Sequence, residues 1–132
     1  MKSMPVAISL HLCDYLIVED RTRKVSLVGT FTGLPMAELP GVAPPFSVTA
    51  VLTDGLGEGI IDLVVTRLDT GEEVHNHRGR ITFPDMLQEV TYHIRLARCP
   101  FPVEGTYQFA LLVDGEWVAH RRLRVYQRQE RS

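Results

Sequence analysis

The hydrophobic and polar residues of this chain alternate with a period of two over most of its length. The segment VTYHIRLA is the clearest case, because Val90 and Ile94 alternate with His93 and Arg95. Such alternation puts apolar side chains on one face of a strand. No stretch of ten or more residues carries the 3.6-residue period of a helix. The pattern predicts about eight strands, at roughly 6–19, 24–32, 46–54, 58–68, 78–83, 87–98, 105–113 and 116–126.

Turn residues separate the predicted strands. Asp114 and Gly115 are a strong two-residue hairpin signal, because both positions of such a turn take a positive φ. Glycine-rich reversals also occur in TDGLGEG and LDTGEE. Short strands at this spacing predict an all-β fold, a two-sheet antiparallel β-sandwich of the immunoglobulin-like type, with a partly closed barrel as the alternative. At 132 residues the chain is expected to form a single domain over residues 1–132.

The first predicted strand contains an acidic residue that strict alternation would bury. After Leu12, alternation places Asp14 on the core face, where an unpaired carboxylate is costly. We therefore expect a β-bulge near Cys13 and Asp14 that turns Tyr15 and Ile17 inward. The side chains expected to face the core before that bulge are Val6, Ile8, Leu10 and Leu12.

The segment CPFPVEGTYQF predicts a second local feature. A loop with two prolines is followed by Gly105 and Tyr107 at the start of a strand. This order resembles the tyrosine corner of immunoglobulin-like sandwiches, in which a tyrosine hydroxyl bonds to backbone a few residues upstream.

Composition and charge give no sign of a membrane or nucleic-acid partner. The chain has 14 basic and 16 acidic residues and a net charge of −2, so it carries no global field that would attract an anionic polymer or surface. The N-terminal apolar run is interrupted by His11 and Asp14 and does not resemble a signal peptide. Two cysteines, Cys13 and Cys99, are too few for a disulfide scaffold. A cytoplasmic location is therefore expected.

The segment EEVHNHRGR is the one metal-site candidate. His75 and His77 would share a face of a strand, and such a pair can chelate a metal. However, Val74 has the opposite parity and Gly71 and Gly79 bracket the segment, so a loop is predicted there. The other three histidines fall on outward faces of other strands. We therefore predict no metal and no cofactor, with these two histidines as weak candidates.

The connection GLPMAELPGVAPP at residues 33–45 is unusually apolar for a loop. It holds four of the eight prolines and a single charge. One interpretation is a crossover that packs over an open end of the sandwich. The other is an exposed partner-binding loop, because ligand contacts concentrate on loops held by a rigid scaffold. Its candidate binding residues are Leu34, Met36, Leu39 and Val42.

The C-terminal segment AHRRLRVYQRQERS forms a local basic strip that includes Tyr126. Arginines with an aromatic residue are compatible with binding single-stranded nucleic acid. Arginines on an outer face or edge also protect a sheet from edge-to-edge pairing, and this interpretation is favoured. The arginines concerned are Arg121, Arg122, Arg124, Arg128 and Arg131.

The chain resembles a family of small, mostly bacterial proteins catalogued as a domain of unknown function. The resemblance rests on five segments, LCDYLIV, KVSLVGTF, APPFSVTAVLTDGLGE, ITFPD and FPVEGTYQFALLVDGEWV. It implies an eight-stranded immunoglobulin-like sandwich. It transfers no catalytic or ligand-binding residue.

The sequence therefore predicts a binding function and no catalytic residue. The leading hypothesis is a non-enzymatic binding or assembly module that presents loops or an edge strand to a protein partner. One alternative is a metal-dependent enzyme or metal-binding protein that uses His75 and His77. Another is a nucleic-acid accessory protein that uses the C-terminal arginines. Because sandwiches have open edges, self-association is also expected.

Overall fold

A computed structural model describes residues 4–129, and within that range the chain is all-β. The eleven strands of this range are β1 (Val6–Val18), β2 (Val25–Thr30), β3 (Gly33–Met36), β4 (Gly41–Val42), β5 (Phe46–Thr53), β6 (Gly57–Arg67), β7 (Glu73–Phe83), β8 (Val90–Leu96), β9 (Pro100–Phe101), β10 (Gly105–Val113) and β11 (Glu116–Gln127). The predicted count of eight was too low. Strands β3, β4 and β9 are short pieces in proline-containing connections, where alternation gives no signal.

Nine of these strands form two main sheets. The first sheet has the order β2-β1-β5-β8 and the second has the order β3-β11-β10-β6-β7, while β4 and β9 form a small separate pair. The prediction of purely antiparallel sheets was wrong at one pair, because β3 runs parallel to β11. After β2 the chain crosses directly to the second sheet, so that β3 arrives beside β11 in the same direction.

The two main sheets share one hydrophobic core, an arrangement consistent with a sandwich. The ring of Phe46 in the first sheet meets the ring of Phe109 in the second edge to face, with centroids 6.0 Å apart. The strands predicted at 46–54 and 105–113 are present as β5 and β10, and their alternating apolar residues face the core. The buried apolar side chains on this face are Phe46, Val48, Ala50, Leu52, Tyr107, Phe109, Leu111 and Val113. Within residues 4–129, no helix has the length and apolar character that would cross a membrane.

The predicted tyrosine corner is present. The Tyr107 hydroxyl donates to the Val103 carbonyl at 2.7 Å and accepts from the Val103 N–H at 3.2 Å. The Tyr107 ring also packs edge to face on Phe101, with centroids 4.8 Å apart. These contacts fix the loop before β10 to the core.

Strand β1 has its irregularity at a different place from the one expected. The register against β5 shifts between Ala7 and Ser9, and no shift occurs at Cys13 and Asp14. This shift turns Ala7 toward the core and leaves Val6 and Ile8 exposed. The prediction that Val6 and Ile8 face the core was therefore wrong, because a bulge reverses the parity of the residues before it.

Candidate interaction surface

Strands β1 and β2 extend beyond the core as a two-stranded hairpin of residues 14–30, called the arm below. Strand β1 pairs with β5 from Val6 to Cys13 and with β2 from Cys13 to Val18. Leu12 is buried, but Asp14, which has the same parity, is exposed. The second sheet therefore stops covering β1 after Leu12. Asp14 needs no bulge to reach solvent, because the core ends before it.

Both faces of the arm are apolar. In the registered pairs, Tyr15 lies opposite Val28 and Leu16 lies opposite Leu27, so the two pairs occupy opposite faces. Tyr15 and Ile17 were predicted to face inward, and this was wrong, because both side chains are more than half exposed. The large apolar side chains of the arm that are exposed are Tyr15, Ile17, Val18, Val25 and Val28.

The tip of the arm is held by its own hydrogen bonds. The backbone N–H of Glu19 donates to the Lys24 carbonyl at 2.8 Å. The Glu19 carboxylate accepts bonds from the backbone N–H of Thr22 and, at 2.7 Å, from its hydroxyl. These bonds lower the pKa of Glu19. The charged residues of the arm other than Asp14 all lie in this tip, at Glu19, Asp20, Arg21, Arg23 and Lys24.

Arg95 of β8 links the base of the arm to the neighbouring strands β5 and β8 of the same sheet. Its guanidinium donates to the Asp14 carbonyl at 2.9 Å and to the Ser47 hydroxyl at 3.1 Å. The same group lies 5.5 Å from the centre of the Tyr15 ring, within the range of a cation–π contact. Arg95 therefore holds the arm at a defined position relative to β5 and β8.

Strand β2 is an open edge of the first sheet. The four edge strands of the two main sheets are β2, β8, β3 and β7. Protected edges carry charges, prolines or bulges that prevent pairing with another chain. Strand β7 has charged residues and a bulge, β8 has His93 and Arg95, and β3 has Pro35. Among these four edge strands of the two main sheets, β2 is the one with neither charge nor proline.

Residues 15–18 of β1 pair on one side only, with β2, and their open side belongs to the arm. The other open parts of β1 and β11 differ from β2. Residues 6–12 of β1 pair on one side with β5, and residues 116–123 of β11 pair on one side with β10. Each part contains a register shift, between Ala7 and Ser9 in β1 and beside Trp117 in β11. The Arg121 guanidinium also bridges the two strands by donating to the Leu10 carbonyl at 3.2 Å. These edges are bulged and bridged, and bulges disfavour pairing with another strand.

The two candidate metal ligands lie in a strand and not in a loop. Strand β7 begins at Glu73, so the loop predicted for this segment was wrong. The register shift of β7 against β6 falls at Val74, which accounts for its opposite parity. His75 and His77 share the core-side face, because they lie opposite Val65 and Leu63.

His75 and His77 have no third metal ligand beside them in the described part of the chain. Burial and the neighbouring His77 lower the pKa of His75. Residues 4–129 contain no group of three or more His, Cys, Asp or Glu side chains placed to hold a metal ion. The pair offers two nitrogen ligands on one face of an edge strand.

The apolar connection at 33–45 mostly packs inward. Met36 is 4% exposed, and Leu34 and Leu39 pack partly buried against the core. Val42 is the exposed member of the predicted set. Partner binding by these four residues stays a prediction, and Val42 is the side chain through which it can act.

Among the described residues, the arginines of β11 are divided between its two faces. Arg121 lies opposite the core residue Phe109, whereas Arg122 and Arg124 are exposed on the outer face of β11. Arg128 is exposed beyond the end of β11, and Arg131 lies outside the described residues.

One feature of the sequence indicates the arm, although the alternation of apolar and polar residues does not. In YLIV at residues 15–18, both parities are apolar, so a strand here must have two apolar faces. Such a strand is buried on both sides or exposes one of its faces.

The comparison with known proteins identifies one family. The sequence model of a family of unknown function (DUF6941) matches residues 8–126, a span that includes the whole arm and nearly all of both main sheets. No curated protein matches the chain.

Proposed function

The chain belongs to that family, and we propose that it is a non-enzymatic binding or assembly module that presents the arm to a protein partner. The observation that carries the proposal is that the arm is apolar on both faces and lies outside a core that is complete without it. Contiguous exposed apolar surface on a soluble domain marks an interaction site, since leaving it in water is unfavourable.

The open edge of β2 determines how a partner would bind. An extended segment can add to an exposed edge, where main-chain hydrogen bonds supply affinity and side chains on alternate faces supply specificity. The arm offers both, because β2 has one unpaired side and apolar side chains on its two faces. A two-stranded hairpin is marginal by itself in water, so added strands would also stabilise the arm.

We further propose that the two sheets form an immunoglobulin-like sandwich and that the protein acts in the cytoplasm. The hydrogen bonds between Tyr107 and Val103 support the first proposal, because they match a feature of that class. The free thiols of Cys13 and Cys99 support the second, because reduced cysteines are the norm in the cytoplasm.

The experiment immobilises the wild-type chain and its variants and compares the proteins that each of them captures. Ile17→Glu and Val28→Glu each place a charge on the same apolar face of the arm, because Val28 lies opposite Tyr15, which has the parity of Ile17. Leu87→Glu is the control, because Leu87 is 93% exposed in a turn away from the arm. We expect the wild type and the control to capture the same protein, and the arm variants to capture roughly tenfold less of it. Equal capture by all four proteins, with unchanged thermal stability, would refute the proposal.

A metal-binding function is the second candidate, because His75 and His77 share a face. Elemental analysis of protein purified without an affinity tag tests it. A stoichiometric transition metal that disappears in His75→Ala would support this function, and its absence would eliminate it.

A further inference from the structure

The partner of the arm can be specified from the chemistry of β2. Among the four edge strands of the two main sheets, β2 alone lacks the charges and prolines that prevent edge pairing. Its residues are Val25, Ser26, Leu27, Val28, Gly29 and Thr30. Such a strand can pair with an identical strand without placing charges against each other.

We propose that β2 pairs antiparallel with β2 of a second copy of this chain. The inference rests on the proposed function, because it names the partner of the same arm. In the dimer, the two four-stranded first sheets join into one continuous sheet of order β8-β5-β1-β2-β2-β1-β5-β8.

Symmetry restricts the register of this pairing. Two antiparallel strands of identical chains are related by a two-fold axis perpendicular to the sheet, so residues directly opposite must lie on the same face. The axis must therefore pass through a residue pair and not between pairs. With the axis at Leu27, each Leu27 lies opposite its own copy, and Ser26 lies opposite Val28.

This register extends the apolar rows that already exist in the arm. Leu16 lies opposite Leu27 within each chain, so one face of the dimer carries a row of Leu16, Leu27, Leu27 and Leu16. On the other face, Val28 of one copy lies opposite Ser26 of the second copy, so a serine interrupts the row of Tyr15, Val28, Ser26 and Ile17. The apolar pairs across the axis are therefore those of the leucine row. Cross-strand apolar pairs of this kind stabilise a sheet.

The charges of the arm agree with a second copy as the occupant. With the axis at Leu27, Lys24 is level with Thr30 of the second copy, and the whole charged tip lies outside the regular part of β2. Like charges directly opposite each other destabilise a sheet, and this register places none opposite each other. An axis at Ser26 would instead place Lys24 opposite the apolar Val28.

The paired segment is short. Gly29 has a φ of +70°, where a side chain would meet the Asp14 carboxylate, so the regular part of β2 is Val25–Val28. An interface of this extent belongs to the class below about 1,200 Å² of buried surface, which is typical of transient complexes. The dimer is therefore expected to dissociate on dilution.

Cysteine cross-linking tests the register directly. In Leu27→Cys, directly opposite Cα atoms would be about 4.5–5.5 Å apart, which lies within the range of a disulfide. In Val25→Cys, the two cysteines would be four residues out of register, roughly 14 Å apart along the strands. Leu87→Cys measures random collision, because Leu87 is 93% exposed. The native Cys13 and Cys99 are buried.

On mild oxidation we expect Leu27→Cys to form a disulfide-linked dimer roughly tenfold faster than either control. Cross-linking no faster than that of Leu87→Cys would overturn the inference. Cross-linking of Val25→Cys at the same rate as Leu27→Cys would overturn the register, and with it the inference as stated.

Charge pairing at the same position is a second, independent measurement. Leu27→Asp and Leu27→Lys should each sediment as monomers, because two like charges would meet at the axis. A mixture of the two should form a dimer, because opposite charges then face each other. A mixture that remains monomeric at concentrations where the wild type is dimeric would contradict the inference.

The outcomes separate this inference from the proposed function. If the wild type is monomeric but the arm variants lose a captured partner of another sequence, the second-copy inference fails and the binding function stands. If the wild type is monomeric and the arm variants lose no partner, both fail.

Discussion

The hydroxyl groups of two tyrosines give the sharpest test of how the core is held together. Tyr107 is 1% exposed, and its hydroxyl makes two hydrogen bonds with the Val103 backbone. The Tyr92 hydroxyl is also buried, but no hydrogen-bond partner for it occurs among the described residues. Burial raises the pKa of Tyr92 to about 12. Replacing each tyrosine by phenylalanine removes a hydroxyl group that is hydrogen-bonded in Tyr107 and has no hydrogen-bond partner in Tyr92.

The expected magnitudes follow from these contacts. A typical intramolecular hydrogen bond contributes about 0.5–1.5 kcal/mol net, so the two bonds of Tyr107 together stabilise the fold by about 1–3 kcal/mol. Tyr107→Phe should lose that amount. Tyr92→Phe should be neutral or stabilising, because it removes a buried polar group that lacks compensation.

Urea unfolding at neutral pH measures both variants against the wild type. We expect a lower midpoint for Tyr107→Phe with an unchanged m-value, and an unchanged or higher midpoint for Tyr92→Phe. In thermal unfolding, the loss in Tyr107→Phe corresponds to roughly 4 °C per kcal/mol for a chain of this size. Equal destabilisation of the two variants would refute the reasoning, since it would mean that the hydrogen bonds do not distinguish the sites.

Three further predictions concern packing, pH and charge. Gly55→Ala should destabilise the protein by about 1–3 kcal/mol in urea unfolding, because its Cβ would lie 2.6 Å from the Phe83 ring; an unchanged midpoint would contradict this. Burial raises the pKa of Cys99 from 9.0 to about 12, so its stabilising contribution is complete below pH 9 and is lost as the pH rises toward 12. Between pH 9 and pH 12, the free energy of unfolding of Cys99→Ala should therefore fall less than that of the wild type. If the two proteins lost stability in parallel with pH, this prediction would be wrong. Single-stranded DNA should bind weakly or not at all, because the net charge is −2; binding that weakens steeply with salt and in a variant carrying Arg122→Gln and Arg124→Gln would contradict this.

Much of the fold was predictable from alternation, because most strands have one face on the core. Phe46 to Leu52 and Tyr107 to Val113 alternate as expected, and their inward residues are buried. The tyrosine corner was predictable because it depends on a local loop and one strand start. Strands β3, β4 and β9 were not predicted, because strands of two to four residues with prolines have no period to detect.

The errors in β1 have a physical cause that alternation does not capture. A bulge after Ala7 reverses the parity of Val6 and Ile8, and nothing in their residue types marks its position. Tyr15 and Ile17 are exposed because the second sheet ends before them, and the extent of a facing sheet is a property of the whole fold.

The histidine segment was mistaken for a loop for a related reason. His75 and His77 lie in an edge strand. An edge strand contacts the core with only part of one face, so it needs few apolar residues. The bulge at Val74 then hides the remaining alternation. The arm was missed because its apolar residues were assigned to the core, although YLIV is apolar in both parities.

Sedimentation equilibrium over a wide range of protein concentration tests the central claim most directly. We expect the wild type and Leu87→Glu to pass from monomer to dimer as concentration rises, and Leu27→Asp to remain monomeric throughout. A wild type that stays monomeric at every concentration, or a dimer unaffected by Leu27→Asp, would contradict the claim that the arm pairs with a second copy of the chain.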